Sequence, residues 1–523
     1  MIDGAMQPFA LTLDKFLAHA AKWRPTSEVI TAREDGGIDR IGYADLKVRC
    51  QRVSSALARL GVGLGDRVAT LAWNTQAHLE AWYGIMGMGA VCHTLNPRLT
   101  ADHLAAMVAR SEAGILVVSA DLIALARQIA ERVPHALRLL VIDGPATADD
   151  SALDALIDGA GDRFPWGGFD ETAPCGLCFT SGTTGAPKGV TYTHRSSFLH
   201  TLRALQVDVM AISGADSVLA VVPMFHANAW GLPFAAPAVG AKLVLPGRHV
   251  DGASLVRLIR AEAVTVAVGV PTVWLGLLEH LEAEGGEVPS LKRIIVGGAP
   301  MPPALMARLE ERLGVIVQTS WGMTELSPSG VVASAGDPKR SAAQSGRPAV
   351  GVDLMVADAE GRRLPEQRTM EGHLHVRGAA VVERYFGETA PVTDAEGWFA
   401  TGDLARIDEA GNLSITGRVK DLIKSGGEWI NPAEIEAVVS ALPQVSLAAV
   451  IGRADEKWGE RPILLVEMRE ALSDAALLAP LKGRVANWWI PDQVVRLESM
   501  PLAATGKIDK LRLRAQYSTD GPT

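Results

Sequence analysis

Cysteine is scarce in this chain, since only four of its 523 residues are cysteine. Cys175 and Cys178 form a C-x-x-C pair, but no second such pair is present in the sequence. A zinc site would need further ligands, and a redox-active pair would stand at the start of a helix. Because this pair lies within an apolar run that predicts a buried strand, we expect both thiols to be small buried side chains.

Long hydrophobic runs and a positive net charge are also missing. The longest apolar stretch, residues 264–278, contains Pro271 and is shorter than the about 20 residues that a membrane-spanning helix needs. The formal net charge of −9 argues against nucleic acid as a partner and against an anionic membrane surface. The N-terminal region carries Asp3, Asp14 and Lys15 without a clean apolar core, so no secretion signal is predicted. We therefore expect a cytoplasmic protein without a membrane span.

The length of the chain predicts two or more domains, because 523 residues exceed the usual size of a single core. Hydrophobic residues make up 48% and charged residues 21%, which is the balance of a globular protein. Helix-like and strand-like segments alternate, and this alternation is typical of an α/β fold with largely parallel sheets. The predicted helices are 43–60 and 122–132, and the predicted strands are 66–72, 113–119, 137–142, 218–222 and 293–296.

Three regions depart from this alternation. Residues 143–170 are acidic and glycine-rich, and we predict an irregular surface connection there. From Gly346 onward, short apolar segments separated by turns indicate a β-rich subdomain. A small α/β unit is predicted to begin near residue 421. The predicted strands of the β-rich subdomain are 352–356, 372–376 and 413–415.

The most informative segment is Thr180-Ser-Gly-Thr-Thr-Gly-Ala-Pro-Lys-Gly189, which follows the predicted strand 175–179. Its glycines and hydroxyl side chains provide N–H and O–H donors that can wrap a polyphosphate, and Lys188 adds a positive charge. An ordinary surface turn would explain the glycines but not the hydroxyl cluster that ends in Pro-Lys-Gly. The P-loop pattern of NTPases is excluded, because no Gly-Lys-Ser/Thr ending is present.

Further segments carry polar or glycine-rich signatures after predicted strands or in turns. Each one alone has a plain structural explanation, as a buried histidine, a strand-to-helix turn, a helix cap or an exposed turn lysine. In chain order they are Pro223-Met-Phe-His-Ala-Asn-Ala-Trp-Gly231, Gly297-Gly-Ala-Pro-Met-Pro-Pro303, Gln318-Thr-Ser-Trp-Gly-Met-Thr-Glu325, Trp398-Phe-Ala-Thr-Gly-Asp403, Gly417-Arg-Val-Lys-Asp-Leu-Ile-Lys-Ser-Gly-Gly-Glu428 and Leu502-Ala-Ala-Thr-Gly-Lys507.

Taken together and in this order, the segments resemble the adenylate-forming superfamily of acyl-coenzyme A synthetases, peptide-synthetase adenylation domains and beetle luciferases. Most relatives have Tyr where this chain has Trp321, and the Trp form is similar to a subgroup acting on medium-chain fatty acids and 3-(methylthio)propanoate. Relatives often have Pro-Lys-Thr where this chain has Leu502-Ala-Ala. The approach to Lys507 therefore differs from theirs, while the lysine itself is retained.

The resemblance implies an α/β fold with a large N-terminal domain and a small mobile C-terminal α+β domain. The N-terminal domain, residues 1–419, would contain two α/β sheet subdomains and a β-rich subdomain. The C-terminal domain, residues 421–523, would carry the catalytic lysine and turn about a hinge near Lys420. The implied reaction joins a carboxylic acid to ATP, giving acyl-AMP and pyrophosphate. Coenzyme A then replaces AMP, and Mg²⁺ serves the first step.

The resemblance also assigns site residues. The catalytic residues would be Lys507, Thr180, Glu325 and His226, with Glu325 and Thr180 as metal ligands. The ATP- and AMP-binding residues would be Thr180, Ser181, Gly182, Thr183, Thr184, Gly185, Lys188, Gly298, Ala299, Pro300, Ser320, Trp321, Gly322, Thr324, Asp403, Arg418 and Lys507. The acyl pocket would be formed by His226, Ala227, Trp230, Gly297, Gly298, Trp321 and Met323. Coenzyme A would contact Lys424, Ser425, Gly426, Gly427 and Trp429.

The acid is expected to be apolar. Amino-acid-activating relatives place an Asp where this chain has His226, which argues against an ammonium-bearing substrate. With Ala227, Ala229 and Trp230 beside it, the segment indicates a cavity for a short or medium-chain aliphatic, methylthio- or arylalkanoic acid. Two alternatives stay open: an acyl-AMP ligase that loads a carrier protein, and a non-catalytic acyl or nucleotide sensor, which would have no need of Lys507. Many relatives are dimers, so the resemblance suggests a homodimer.

Overall fold

The computed structural model describes residues 3–146, 151–160, 163–180, 187–426, 428–503 and 506–518. Its α-helices flank four β-sheets. The helices are α1 (Asp14–Trp23), α2 (Tyr43–Arg59), α3 (Gln76–Gly87), α4 (Ala101–Ser111), α5 (Ile123–Ala130), α6 (Leu153–Asp158), α7 (His194–Ala204), α8 (Leu232–Val239), α9 (Gly252–Glu262), α10 (Pro271–Glu284), α11 (Pro303–Leu313), α12 (Pro432–Val439), α13 (Asp474–Leu478) and α14 (Lys510–Tyr517).

A seven-stranded sheet is built from the first part of the chain. All of its neighbouring strands are parallel except the last pair, which forms an antiparallel hairpin around the glycine-rich segment. Its central strands are apolar and buried along their length, as parallel strands covered by helices on both faces must be. In spatial order the strands are β7 (Ser151–Ala152), β6 (Arg138–Ile142), β5 (Ile115–Ser119), β3 (Arg67–Leu71), β4 (Val91–Thr94), β8 (Pro174–Phe179) and β9 (Gly189–Thr193).

The second large sheet has nine strands. Its central strands are parallel, and antiparallel strands close both edges. In spatial order the strands are β16 (Arg347–Pro348), β15 (Ser329–Val332), β14 (Ile316–Gly322), β13 (Arg293–Val296), β12 (Val266–Gly269), β10 (Ser217–Ala220), β11 (Lys242–Leu245), β1 (Glu28–Ala32) and β2 (Ile38–Gly42).

Two smaller sheets complete the fold. The first is an antiparallel meander of four strands: β17 (Val352–Ala357), β18 (Glu371–Gly378), β19 (Phe399–Ile407) and β20 (Leu413–Arg418). The second belongs to the C-terminal region and has its own apolar core. Its strands are β21 (Ile423–Ser425), β22 (Glu428–Ile430), β23 (Val445–Asp455), β24 (Gly459–Met468) and β25 (Gln493–Leu497).

The predicted α/β fold, with a large N-terminal domain and a smaller C-terminal one, is confirmed. The predicted helices and strands are present with small shifts at their ends, and Cys175 and Cys178 are buried free thiols in β8. The prediction of an irregular connection over 143–170 was wrong in part, because β7 and α6 lie within it. Leu153 and Ile157 stand one helical turn apart and are both buried, which explains why this short segment is helical.

The parallel strands bring the predicted site segments to one edge. The neighbours β10, β12 and β13 run in the same direction, so their carboxyl ends meet. The segment 223–231 follows β10, Thr272 follows β12, and Gly297 follows β13. This edge is where open α/β sheets place their ligands. Among the described residues, no helix is long and apolar enough to cross a membrane.

Candidate active site

Gly297 and Gly298 form a bare shelf at the end of β13. A methyl group added at Gly297 would lie 2.3 Å from Oγ of Ser320 and 2.9 Å from the Trp230 ring. Gly298 has φ of +81°, a left-handed conformation that favours glycine. Because neither residue has a side chain, the Ser320 hydroxyl and the Trp230 ring lie directly against this backbone. This geometry allows the close approach of a flat ring, which is the Trp230 indole in this structure.

The Trp230 ring reaches this shelf because the preceding backbone is left-handed. Ala227, Asn228, Ala229 and Trp230 all have φ between 44° and 53°, and Gly231 continues at 79°. Non-glycine residues in this region cost about 1–2 kcal/mol each relative to the right-handed conformation. Such strain persists only where the surrounding structure imposes it, and it concentrates at functional sites. The turn places an indole ring beside the Gly297–Gly298 backbone.

Lys507 lies at the same shelf although it comes from the C-terminal region. A methyl group at Gly298 would be 3.7 Å from Cε of Lys507. The preceding residue is held by the hydroxyl of Thr272, which donates to the carbonyl of Gly506 at 3.2 Å. Burial, followed by the nearby positive charge of Arg418, lowers the pKa of Lys507 to about 8. Lys507 is thus a docked lysine and not an exposed turn residue.

His226 follows β10 and lies close enough to Lys507 for that charge to act on it. Burial, with the Lys507 ammonium as a second cause, lowers its pKa to about 4, so the imidazole is neutral at pH 7. A small cavity beside it is lined by Thr94, Phe179 and Phe225, among others. His226 therefore lies near Lys507 and beside a mainly apolar cavity, and it carries no charge near neutral pH.

Asp403 and Arg418 face each other across β19 and β20. Their register pairs the two residues directly, and Nε of Arg418 lies 2.7 Å from Oδ1 of Asp403. The second oxygen of this buried carboxylate accepts the indole N–H of Trp321 at 2.9 Å. Burial raises the pKa of Asp403, while the charge of Arg418 and the Trp321 hydrogen bond oppose that change. The three residues form a fixed polar group beside Lys507, whose charge also acts on Asp403.

Glu325 lies in a second polar group with Tyr385 and Lys188. The hydroxyl of Tyr385 donates to Oε1 of the buried Glu325 at 2.9 Å. The Lys188 ammonium stands 4.9 Å from the centre of the Tyr385 ring. Thr180 and Lys188 are joined by a backbone hydrogen bond of 2.9 Å, which closes the base of the glycine-rich segment. A cation, a phenol and a carboxylate are thereby held in series next to this segment.

A magnesium ion fits this donor set. Among the residues described, no group of three or more His, Cys, Asp or Glu side chains could hold a metal ion. Mg²⁺ seldom uses such a cluster, because it is usually bound by one or two carboxylates together with substrate phosphates and water. The buried carboxylate of Glu325, which accepts the Tyr385 hydrogen bond, is the hard oxygen donor that this mode requires.

The other predicted residues divide into three groups. Ser320 donates to the carbonyl of Val296 at 2.9 Å and lies against Gly297. Ala299 and Pro300 directly follow Gly298 in the chain. The residues predicted for coenzyme A lie on the antiparallel hairpin of β21 and β22, where Lys424 pairs with Trp429. Of these, Lys424, Gly426 and Trp429 are exposed and Ser425 is buried. The predicted Ser181, Gly182, Thr183, Thr184, Gly185 and Gly427 lie outside the described residues.

Four further predicted residues lie in or next to the segments described above: Ala227, Gly322, Met323 and Thr324. Ala227 opens the left-handed turn, and Gly322 ends β14. Thr324 is buried, and its carbonyl accepts the Tyr192 hydroxyl at 2.8 Å. Met323 packs against the main apolar core. These contacts anchor the segment that carries Trp321 and Glu325.

Sequence reasoning missed Tyr385 and Thr272. Both side chains make their contact with residues far away in the chain, Glu325 and Gly506 respectively. Neither stands in a segment with a recognisable pattern of polar residues or glycines. Only the arrangement of the strands in space shows that they touch the predicted site.

The structure is that of an α/β protein with a large N-terminal domain, and Lys507 of the C-terminal region lies against Gly298 of that domain. Residues 17–386 match the family described as AMP-binding enzyme, and residues 434–507 match the AMP-binding enzyme C-terminal domain. The chain belongs to the AMP-binding enzyme family.

Curated relatives and solved structures extend over nearly the whole chain. It is 39% identical to the 3-methylmercaptopropionyl-CoA ligase of Ruegeria lacuscaerulensis, with 98% of each chain covered. It is 40% identical to the medium-chain-fatty-acid–CoA ligase of Ectopseudomonas oleovorans, covering 98% of this chain and 97% of the relative. The ATP-bound structure of MatB from Rhodopseudomonas palustris superposes with a TM-score of 0.86 at 26% identity, covering 98% and 99% of the two chains.

Proposed function

We propose that this protein is an ATP-dependent acid–coenzyme A ligase that forms AMP. The observation that carries the proposal is the position of Lys507, a lysine of the C-terminal region that lies against Gly298 and beside the Asp403–Arg418 pair. The full-length similarity to two acid–CoA ligases supports the same activity. ATP, Mg²⁺ and coenzyme A are the substrates and cofactor of this reaction.

In the first step, a carboxylate oxygen of the acid attacks the α-phosphorus of ATP, and the bond to pyrophosphate breaks. The acyl oxygen becomes a good leaving group because it is now bonded to AMP. Negative charge on the phosphate oxygens grows in the transition state and needs fixed positive partners. The Lys507 ammonium is proposed to supply one, with Lys188 as a second at the glycine-rich segment. Mg²⁺ held by Glu325, with Thr180 as a further ligand, would neutralise phosphate charge.

The nucleotide is proposed to lie along the polar groups described above. Adenine would occupy the shelf of Gly297 and Gly298, and the ribose hydroxyls would bind the Asp403 carboxylate. Arg418 and Trp321 hold that carboxylate from both oxygens, which leaves its remaining lone pairs for the ribose. The neutral His226 would lie beside the acyl group without adding a charge to the apolar pocket.

In the second step, the thiol sulfur of coenzyme A attacks the acyl carbonyl, and the bond to AMP breaks. Lys507 cannot stay at the shelf while a thiol enters over the same face. We therefore propose that residues 421–523 move as a domain against residues 1–419 about Lys420. This motion would bring Lys424, Ser425, Gly426 and Gly427 toward the acyl group as the wall of the pantetheine path.

The acid is proposed to be an apolar aliphatic or methylthio-substituted chain of short or medium length, or an arylalkanoic acid. The neutral His226, the alanines 227 and 229 and the Trp230 ring bring no charge of their own to the pocket. The names of the two ligases, one acting on 3-methylmercaptopropionate and one on medium-chain fatty acids, point to the same class. We place the protein in the cytoplasm and propose a homodimer on the resemblance alone.

The test is pyrophosphate release with ATP and Mg²⁺ across a panel of acids from propanoate to dodecanoate. The panel includes 3-(methylthio)propanoate and arylalkanoates, each with and without coenzyme A. Turnover that requires one class of acid together with coenzyme A supports the ligase and names its substrate range. Acyl-AMP formation with no response to free coenzyme A would instead favour a ligase that loads a carrier protein. ATP binding without turnover on any acid would contradict the enzyme proposal.

A further inference from the structure

Arg110, near the end of α4, makes three contacts that no sequence pattern suggests. Its Nη1 donates to the carbonyl of Pro187 at 3.1 Å. Its Nη2 donates to the carbonyl of Phe386 at 3.0 Å and to Oε1 of Glu388 at 2.8 Å. A guanidinium has a planar fork of donors, so one side chain can hold two separate backbone segments in a fixed relation.

The first of these segments is the exit of the glycine-rich segment, residues 187–189. The second is 385–388, which begins with Tyr385. A direct backbone bond also joins them, since the N–H of Phe386 donates to the carbonyl of Gly189 at 2.8 Å. The fit is close at this point: a methyl group at Gly189 would lie 3.0 Å from Cβ of Phe386. Arg110 and this backbone bond therefore fasten the two segments at neighbouring positions.

The fastened segments carry the groups proposed to meet the phosphates. Lys188 stands next to Pro187, and its ammonium lies over the Tyr385 ring. Tyr385 in turn donates to Glu325, whose backbone carbonyl accepts the N–H of Val382 at 2.8 Å. A shift of either segment would change the distance between the Lys188 charge and the Glu325 carboxylate.

We propose that Arg110 is a positioning residue for the β- and γ-phosphate end of ATP, acting through the 187–189 and 385–388 segments. The inference rests on the proposed function, because it needs a triphosphate at this site. Arg110 would act without touching the nucleotide, because its guanidinium is engaged by Pro187, Phe386 and Glu388. Its role is to keep Lys188 and Glu325 at the separation that suits the phosphates and their metal ion.

The helix that carries Arg110 is firmly anchored. Leu104, Met107 and Val108 of α4 are buried in the same apolar cluster as Phe179, and Phe386 packs against that cluster. A well-packed helix is a suitable support for a positioning side chain, because it keeps that side chain in one place. A purely stabilising role would use the same contacts, so the test must separate the two.

Comparing the binding of two nucleotides distinguishes a positioning role of Arg110 from a purely stabilising one. ATP carries the β- and γ-phosphates, whereas AMP lacks them. We expect Arg110→Gln to weaken binding of ATP with Mg²⁺ about tenfold, the effect of losing hydrogen bonds from a charged donor. Binding of AMP should stay within about twofold of the wild type, because Asp403 and the glycine shelf are untouched. Titration calorimetry on the full-length protein measures both dissociation constants.

Matched variants sharpen the comparison. Glu388→Gln removes the ion pair but leaves both carbonyl contacts of Arg110, so its effect on ATP should be smaller. Arg110→Lys keeps the charge but lacks the planar set of guanidinium donors. Its affinity for ATP should lie between those of Arg110→Gln and the wild type. Arg132→Gln is the control. It removes an ion pair with Asp102, which stands near the start of α4, whereas Arg110 stands near its end. Thermal melting of each variant reports its folding.

Adenylation kinetics supply a second readout. The KM for ATP should rise in Arg110→Gln, while thioester formation from preformed acyl-AMP, which has no β- or γ-phosphate, should keep its rate. Equal weakening of ATP and AMP, or no change in either, would overturn the positioning role. A wild-type protein that binds neither nucleotide would overturn the proposed function together with this inference. An ATP-binding wild type with an unaltered Arg110→Gln variant would overturn the inference alone.

Discussion

The indole N–H of Trp321 donates to Oδ2 of Asp403 at 2.9 Å, and Arg418 holds the other oxygen of the same carboxylate. Trp321 therefore contributes a hydrogen-bond donor as well as an aromatic ring. It is one of two donors that orient a buried acid proposed to bind the ribose. A residue without an N–H at this position would leave half of the carboxylate unsupported.

Trp321→Phe should raise the KM for ATP about tenfold, because a hydrogen bond to a charged group is lost while an aromatic ring remains. Loss of the N–H also raises the pKa of Asp403, so the acidic limb of the activity should move to higher pH. Trp274→Phe is the control for ring size, since no partner of its buried indole N–H is found among the described residues. A variant with unchanged KM and pH profile would show that the bond has no role in nucleotide binding.

The lowered pKa of Lys507 predicts a pH dependence. Burial lowers the value to about 8, so the free enzyme loses the ammonium as the pH rises through about 8. Only the charged form can stabilise phosphate oxygens, so kcat/KM for adenylation should fall on the alkaline side of this value. Lys507→Arg should move the fall to higher pH. Thioester formation from preformed acyl-AMP should lack this limb, and its presence there would argue against the assigned role.

The glycine shelf predicts a contrast among alanine substitutions. Gly297→Ala would place a methyl group 2.3 Å from Oγ of Ser320, and Gly298→Ala would add strain at φ of +81°. Both variants should lose adenylation activity, since the backbone can no longer approach a flat ring. Gly276→Ala in α10 meets nothing within 4 Å and should keep full activity. Initial rates at saturating acid, with melting curves, test this contrast, which would fail if all three behaved alike.

The hydrogen bond between Tyr385 and Glu325 predicts that loss of the Tyr385 hydroxyl raises the Mg²⁺ concentration needed for adenylation. Tyr385→Phe removes the hydroxyl that orients Glu325, and outer partners of this kind are worth about tenfold or more in metal affinity. The Mg²⁺ concentration for half-maximal adenylation should rise accordingly, and excess Mg²⁺ should restore most of the rate. Chelation of Mg²⁺ should abolish the first step in the wild type. A Tyr385→Phe enzyme with the wild-type metal response would separate Tyr385 from metal binding.

Features that depend on residues close together in the chain could be predicted from the sequence, whereas features that depend on distant residues could not. Alternating apolar segments depend on neighbours in the chain, so β8, β13 and α2 could be predicted closely. Residues 151–158 were predicted as irregular because a short segment gives a weak pattern, although Leu153 and Ile157 pack into the core. The site roles rest on the family resemblance of several segments taken together, and they remain predictions.

Contacts between distant segments could not be predicted from those patterns. The hydroxyl of Tyr385 meets Glu325 across 60 residues, and Thr272 meets Gly506 across 234. Such contacts depend on strand order and on how the domains pack, which no local pattern encodes. The left-handed turn at Ala227 to Trp230 was missed for a similar reason, since alanine and tryptophan do not favour that backbone.

The most direct test of the account measures the two half-reactions of Lys507→Ala with the acid that the panel identifies. Adenylation is followed by pyrophosphate release, and thioester formation is followed from synthetic acyl-AMP and coenzyme A. The account predicts that adenylation falls about 10²-fold or more, the effect of removing one stabiliser of the transition state, while thioester formation is much less affected. Equal losses in both half-reactions, or full adenylation without the lysine, would contradict it.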